Sequence, residues 1–402
     1  MLRERLLTRP RRGAREGSAP TWFWTAMYLL QEISIPMSGT ATHSVRTLAP
    51  FLLAANPARL LLSAVAVVVV FALQGFSAHS NLLISLTVLL MPFALLSVER
   101  IRLDIELFAR LVIKVLFVAC VVQALLPGLS NILFEPFIDG YLSFDKLFAR
   151  ATGLSMEPSF AAEMLFAAAL VHLFFAPRVW SATTVLVLGA LLLIRAGTAV
   201  QQALLFALIY LFLKCVSLAA GVPAHRTRAN LALALLSTLF ALCAILFGYS
   251  LVTYGTLDLS FIRDSMDRFN SWRTLSNYAA WLDAQAISFF PHESNAGWGN
   301  AISGALRTYG LTGDEWVTQP FSPIGVALLD LGVGGSALWV LLVFAAAVRR
   351  LRPYALDTRQ AAIVYTLLAN SIFLAPKWQL SGFLAIGLIA AAIESRHTRH
   401  AA

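Results

Sequence analysis

Charge is what this chain has least of. Asp, Glu, Lys and Arg supply 13% of its 402 residues, against about 25% in ordinary soluble domains. Lysine is nearly missing, with four in the whole chain. A conventional soluble surface is thereby excluded, and 59% hydrophobic residues with a mean hydropathy of +0.75 make lipid the expected solvent. Cysteine is scarce as well: Cys120, Cys215 and Cys243 lie far apart inside apolar runs. That spacing excludes a disulfide framework or a zinc site. No cluster of His, Cys and acids has metal-ligand spacing, so no metal is expected. A P-loop, a nucleophile elbow and a dinucleotide fingerprint are all missing, which argues against nucleotide chemistry and leaves no cofactor to expect. No small-residue cleavage site follows a short apolar core near the start, so no cleavable signal peptide is expected. The formal charge of +9 does not indicate nucleic acid as a partner, because the 30 Lys and Arg are scattered at the ends of apolar runs.

Those apolar runs are what the chain has in abundance. Segments long enough for membrane spans cover about 60–76, 81–98, 111–127, 159–176, 180–194, 198–220, 230–252, 322–348, 361–376 and 378–394. Residues 21–56 are apolar but interrupted by Glu32, Pro36, Pro50 and Pro57, which fits two short membrane segments or an interfacial hairpin. The expectation is an all-α polytopic membrane protein with ten to twelve transmembrane helices. A basic segment (1–20) precedes one membrane domain (21–394), and a short tail (395–402) follows it. Six arginines fall in the first 20 residues, and others cluster at 100–110, 226–228, 349–359 and 396–399. An even number of spans puts all of them on one side, the cytoplasmic side by the positive-inside bias, together with both termini. Two long loops remain for the opposite face, 128–158 and the large loop 253–321. Loops of that length that are not low-complexity are commonly functional.

Arginines on that outer face need a reason other than topology. They are Arg150, Arg195, Arg263, Arg268, Arg273 and Arg307. Pairing with loop carboxylates is the bland account. As a group, however, guanidinium forks at a membrane edge suit the oxygens of a lipid pyrophosphate. The string Arg150-Ala-Thr-Gly-Leu-Ser-Met-Glu157-Pro158-Ser159 leads directly into a span. Glu157 there is accounted for by a helix N-terminus alone, but Glu163 lies inside the apolar run, where acids usually face a cavity or a partner. Arg195-Ala-Gly197-Thr198 breaks one long apolar stretch into two, Gly197 allowing a tight turn or the close approach of a ligand. Arg268 and Trp272 share a face at helical spacing, as they would on any amphipathic surface helix. Asp330 and the glycines 332, 334 and 335 read as close helix packing near a polar cavity. His292 is the one histidine in either long outer loop, where an exposed histidine is the default.

Together these strings resemble the O-antigen and exopolysaccharide polymerase (Wzy-type) and O-antigen ligase superfamily. The resemblance covers topology over residues 60–394. Its specific part is Arg150-x-x-Gly153…Glu157-Pro158-Ser159, Arg195-Ala-Gly197-Thr198, Arg268-x-x-x-Trp272, and the acid-then-glycine run from Asp330 to Gly335. Ligases of that superfamily place a His-Asn pair shortly before the late span. Here Gln319-Pro320-Phe321-Ser322 stands there instead, which favours a polymerase. The resemblance implies a C-type glycosyltransferase-like fold in a bacterial inner membrane with its active site facing the periplasm. The substrates it implies are undecaprenyl-pyrophosphate-linked glycans, as donor and as acceptor, with membrane lipid and a chain-length regulator as partners. Arg150, Arg195 and Arg268 would bind pyrophosphate, with Arg263 and Arg273 in reserve. Glu157 would be the leading base and His292 the alternative, and Glu163, Trp272 and Asp330 would line the substrate cavity. The competing readings are a ligase, which would need an essential outer histidine, and a lipid-linked oligosaccharide flippase.

Overall fold

The computed structural model describes residues 18–30, 51, 53–73, 82–99, 101, 103–134, 151–155, 158–219, 302, 320–351, 353–354, 356–375 and 379–401. In order they form α1 (Ser18–Leu29), α2 (Pro57–Leu73), α3 (Leu82–Leu96), α4 (Ile105–Leu125), α5 (Pro127–Phe134), α6 (Pro158–Phe175), α7 (Ala182–Ile194), α8 (Gly197–Ala219), α9 (Pro323–Leu351), α10 (Thr358–Ala369) and α11 (Ser381–Ala401). A π-helical turn, Asn370–Leu374, continues α10. Helices make up the regular secondary structure of the described residues, which contain no sheet. Every expected span whose residues are described is a helix, while 230–252 lies outside them. Among the described residues three segments are long and apolar enough to cross a membrane: Pro158–Phe175, Gly197–Cys215 and Gly334–Leu351. The interrupted region 21–56 contributes α1, whose 12 residues reach only about 18 Å and so fall short of a span.

The helix boundaries follow from local chemistry. Pro57, Pro127, Pro158 and Pro323 each open a helix, where a missing N–H costs nothing and the fixed φ is already helical. Asp104 caps α4 by accepting from the amides of Glu106 and Leu107, both at 3.1 Å. Asp357 and Gln360 form a reciprocal capping box at the start of α10.

The described residues fall into two compact units. The first draws on Met1–Ala54, Val98–Leu204 and Leu384–Ala402; the second on Ala55–Ser97 and Leu205–Phe383. In the first unit α4 packs against α1, α6 and α7. The ring of Phe117 lies so close to Gly189 that a Cβ there would meet it at 2.9 Å, the small-residue contact expected between membrane helices. At one end of this unit, Arg396 pairs with Glu106 at 3.2 Å and stacks on the Phe175 ring at 4.8 Å. The start of α4, the end of α6 and the tail of α11 therefore meet there. The exposed Trp180 follows α6 at this end, and Thr21, beside the exposed Trp22, accepts from the Asp104 amide at 3.3 Å. Exposed tryptophans beside arginines are the usual furniture of a membrane–water boundary.

In the second unit α9 packs on α3 and on the π-helical turn. Trp339 donates its indole N–H to the Leu89 carbonyl at 3.0 Å. The buried Arg350 donates to the Leu96 carbonyl, satisfying one of the acceptors that a helix C-terminus leaves open. α9 is broken at Gly332, with φ 65 and ψ −176.

Candidate functional site

At the end of the first unit opposite the Arg396–Glu106 pair, the end of α4, the start of α6 and the turn joining α7 to α8 come together around residues 151–155. This segment owes its shape to one buried side chain. Gln123 of α4 accepts through Oε1 from the amides of Thr152 (2.9 Å) and Gly153 (2.8 Å). Its Nε2 donates to the Gly153 carbonyl (2.7 Å) and to Thr152 Oγ1 (3.2 Å). Gly153 sits at φ +60, and a Cβ there would meet Ala161 at 3.3 Å, so both its dihedral and its surroundings require glycine. Ser155 closes the turn through its amide to the Thr152 carbonyl at 3.1 Å.

The same segment is tied to the α7–α8 turn, for the Ala151 amide donates to the Leu193 carbonyl at 3.1 Å. Two residues on, Arg195 ends α7 in the left-handed conformation (φ 50, ψ 39), its amide held by the Leu191 carbonyl at 2.9 Å. Among the described residues it is the one non-glycine with positive φ. A helix end usually gives that position to glycine. The strained residue of the turn is this arginine, while Gly197, which allows a tight turn or the close approach of a ligand, opens α8 with free space where a Cβ would project. The Arg195 side chain is exposed.

The start of α6, at this same end, carries a buried carboxylate. Glu163, on the second turn of α6, is 2% exposed and accepts a hydrogen bond from Nε2 of Gln202, on α8 and also 2% exposed. One turn earlier on α8, the Thr198 hydroxyl is buried without a hydrogen-bond partner, as is Oε1 of Gln202. Tyr28 of α1 braces α6 from its other side, donating to the Met164 carbonyl at 3.2 Å.

Glu163 and Arg195, widely separated in sequence, thus belong to one end of one helical unit. Asp330 belongs to the second unit, half-buried, two residues before the break in α9. Arg150, Glu157, Arg263, Arg268, Trp272, Arg273 and His292 lie outside the described residues. Two residues at the site escaped the sequence reading, Gln123 and Gln202. Their signal was present, since each is a side-chain amide inside an apolar run, where polar groups are expensive and need a partner. Among the described residues no group of His, Cys, Asp and Glu is arranged to hold a metal ion.

Gln123 carries a testable consequence. Gln123→Leu keeps the volume but strands two amides and a carbonyl, each worth about 1–3 kcal/mol when buried unpaired. The detergent-solubilised variant is expected to lose on the order of 3 kcal/mol in unfolding free energy. Unchanged thermal unfolding would mean that residues 151–155 are held by something else. Comparison with protein families, curated proteins and solved structures finds no match for this chain.

Proposed function

We propose that this protein is a polysaccharide polymerase of the bacterial inner membrane, with ten or twelve spans and a GT-C-like architecture. It transfers a growing glycan from undecaprenyl pyrophosphate to a sugar hydroxyl of the next lipid-linked repeat unit at the periplasmic face. The observation that carries this reading is Arg195, an exposed residue held in a strained backbone conformation beside a fixed loop, at the end of the unit that also holds the buried Glu163 carboxylate. Strain retained where glycine would relieve it points to a side chain needed for something other than folding.

In the reaction, the acceptor oxygen attacks the anomeric carbon of the donor sugar. The bond from that carbon to the pyrophosphate oxygen breaks, and the electron pair leaves with the pyrophosphate. The acceptor's proton passes to a carboxylate, for which Glu157 is the first candidate. Arg195, with Arg150 and Arg268 and with Arg263 and Arg273 in reserve, neutralises the charge on the departing pyrophosphate. Glu163 and Gln202 line the floor. Trp272 supplies a face for sugar stacking. The arginine-rich end that joins Glu106, Arg396 and Phe175 is the cytoplasmic end in this orientation, which leaves the Arg195 end outward. A chain-length regulator would act beside the large loop.

One observation favours a second reading. α9, which packs against the π-helical turn after α10, is broken at Gly332, and interrupted helices are characteristic of transporters. A lipid-linked oligosaccharide flippase is therefore the alternative, ahead of a ligase, for which His292 would have to be essential. The glycan profile of a deletion strain separates them. Single repeat units on the outer leaflet or on the surface acceptor, with long chains lost, is the result expected of a polymerase. Long chains accumulating on the carrier would indicate a ligase, and units trapped on the cytoplasmic leaflet a flippase.

A further inference from the structure

We propose that Thr198 and Gln202 form a hydroxyl-binding subsite that takes a sugar hydroxyl of the acceptor glycan. The inference rests on the glycosyl-transfer reading and adds to it the residues that seat the acceptor.

The carboxamide of Gln202 has a fixed orientation. Its Nε2 donates to Glu163, and flipping it would set Oε1, an acceptor, against a carboxylate oxygen. Oε1 is therefore committed to facing away from Glu163, and there it finds no donor. The Thr198 hydroxyl lies one turn earlier on the same face of α8, buried and equally without a partner. Buried polar groups are nearly always paired, so two adjacent orphans mark a place shaped for a guest.

The chemistry of the two atoms defines that guest. Gln202 Oε1 only accepts, whereas Thr198 Oγ1 donates or accepts. A neutral hydroxyl satisfies both at once, giving its proton to the amide oxygen and accepting from the threonine. The place suits a substrate more than a structural role. Thr198 is three residues beyond Arg195, and Gln202 lies about 6 Å further along the helix axis. Thr198 as a whole is only half-buried, and the space beside Gly197 is open. An acceptor sugar entering past Arg195 would meet this pair first, with the Glu163 carboxylate behind it fixing the amide.

Glu163 is accordingly the positioning residue, acting through the Gln202 amide, and Thr198 supplies the second polar atom of the subsite. The test uses the full chain in proteoliposomes, with lipid-linked repeat units extracted from cells that lack it. Chain growth is followed at fixed donor while the concentration of single units is varied. Thr198→Val preserves shape and deletes the hydroxyl. It is expected to raise the acceptor KM about tenfold with kcat within about twofold, and Thr198→Ser is expected to restore the wild-type KM. An unchanged KM in Thr198→Val overturns the subsite, because the guest is then a resident water. A fall in kcat that Thr198→Ser does not repair overturns it too, since packing alone would then be at work. Failure of the wild-type protein to extend any chain would remove the glycosyl-transfer reading itself, and the subsite with it. That outcome is distinct from either result on Thr198.

Discussion

Replacing Arg195 by glycine is expected to leave the protein at least as stable as wild type and to stop chain growth. The two effects have separate origins. A side chain at φ 50, ψ 39 carries a strain of order 1 kcal/mol or more that glycine does not feel. Against this stands the larger entropy of a glycine in the unfolded chain. The net change in unfolding free energy should therefore be within about 1 kcal/mol of zero, on the stabilising side. Catalysis should behave oppositely. Losing a preorganised cation that meets charge developing on a leaving group costs on the order of a hundred- to a thousandfold in rate. The glycan ladder of a strain carrying Arg195→Gly should collapse to single units, while the purified protein unfolds at or above the wild-type temperature. Arg195→Lys separates charge from shape: it retains the cation but loses the planar fork that engages two phosphate oxygens, so short, sparse chains are expected. A normal ladder from Arg195→Gly would remove Arg195 from the site. A large loss of stability would make its role structural.

How much of this was legible in the sequence differs from element to element. The helices were legible because a membrane span is written as a run of apolar residues, and every expected run whose residues are described is a helix. Their ends were legible where a proline or an aspartate stands, as at Pro158, Pro323 and Asp357. Region 21–56 was less so, because α1 is buried against α4 through Thr21, Thr25 and Tyr28, and contacts of that kind leave no periodic trace in so short a stretch. Arg195 and Glu163 were both singled out as charges where charges are costly, but not that one end of one unit holds them. That juxtaposition depends on α4, whose Gln123 reaches residues about thirty positions later in the chain, and no local pattern encodes a contact at that separation. The left-handed conformation of Arg195 was not legible, for a related reason. Gly197 looks like the flexible residue of the turn, yet where α7 stops is decided by its packing and by the Ala151–Leu193 hydrogen bond. The glycine cluster at 332–335 suggests close helix packing near a polar cavity, and its first member also breaks the helix, a use that sequence does not record.

That break supports the other large expectation. Gly332→Ala should destabilise the protein by about 1–3 kcal/mol, because φ 65 with ψ −176 is a region that essentially only glycine occupies. Gly334→Ala, two residues away within regular helix, should be neutral or stabilising by up to about 1 kcal/mol. The contrast between them isolates the dihedral from mere helix propensity. The second half of α9 is held to α3 by Trp339 and Arg350, and Ser336 donates to the Gly332 carbonyl at 2.6 Å. Relief of the strain therefore falls on Pro323–Gly332, the segment that carries Asp330. If alanine straightens the helix, Asp330 rotates away from its present position while the Trp339 anchor stays in place. The functional outcome then depends on which reading holds. In a polymerase, the variant should leave unextended repeat units on the outer leaflet, where the chemistry takes place. In a flippase, an interrupted helix is part of the conformational cycle, and a straightened one should strand the same units on the inner leaflet. Leaflet-resolved labelling of the lipid-linked pool in Gly332→Ala cells thus tests the fold and the function together. Wild-type stability with a normal glycan ladder would mean that the break in α9 is needed for neither.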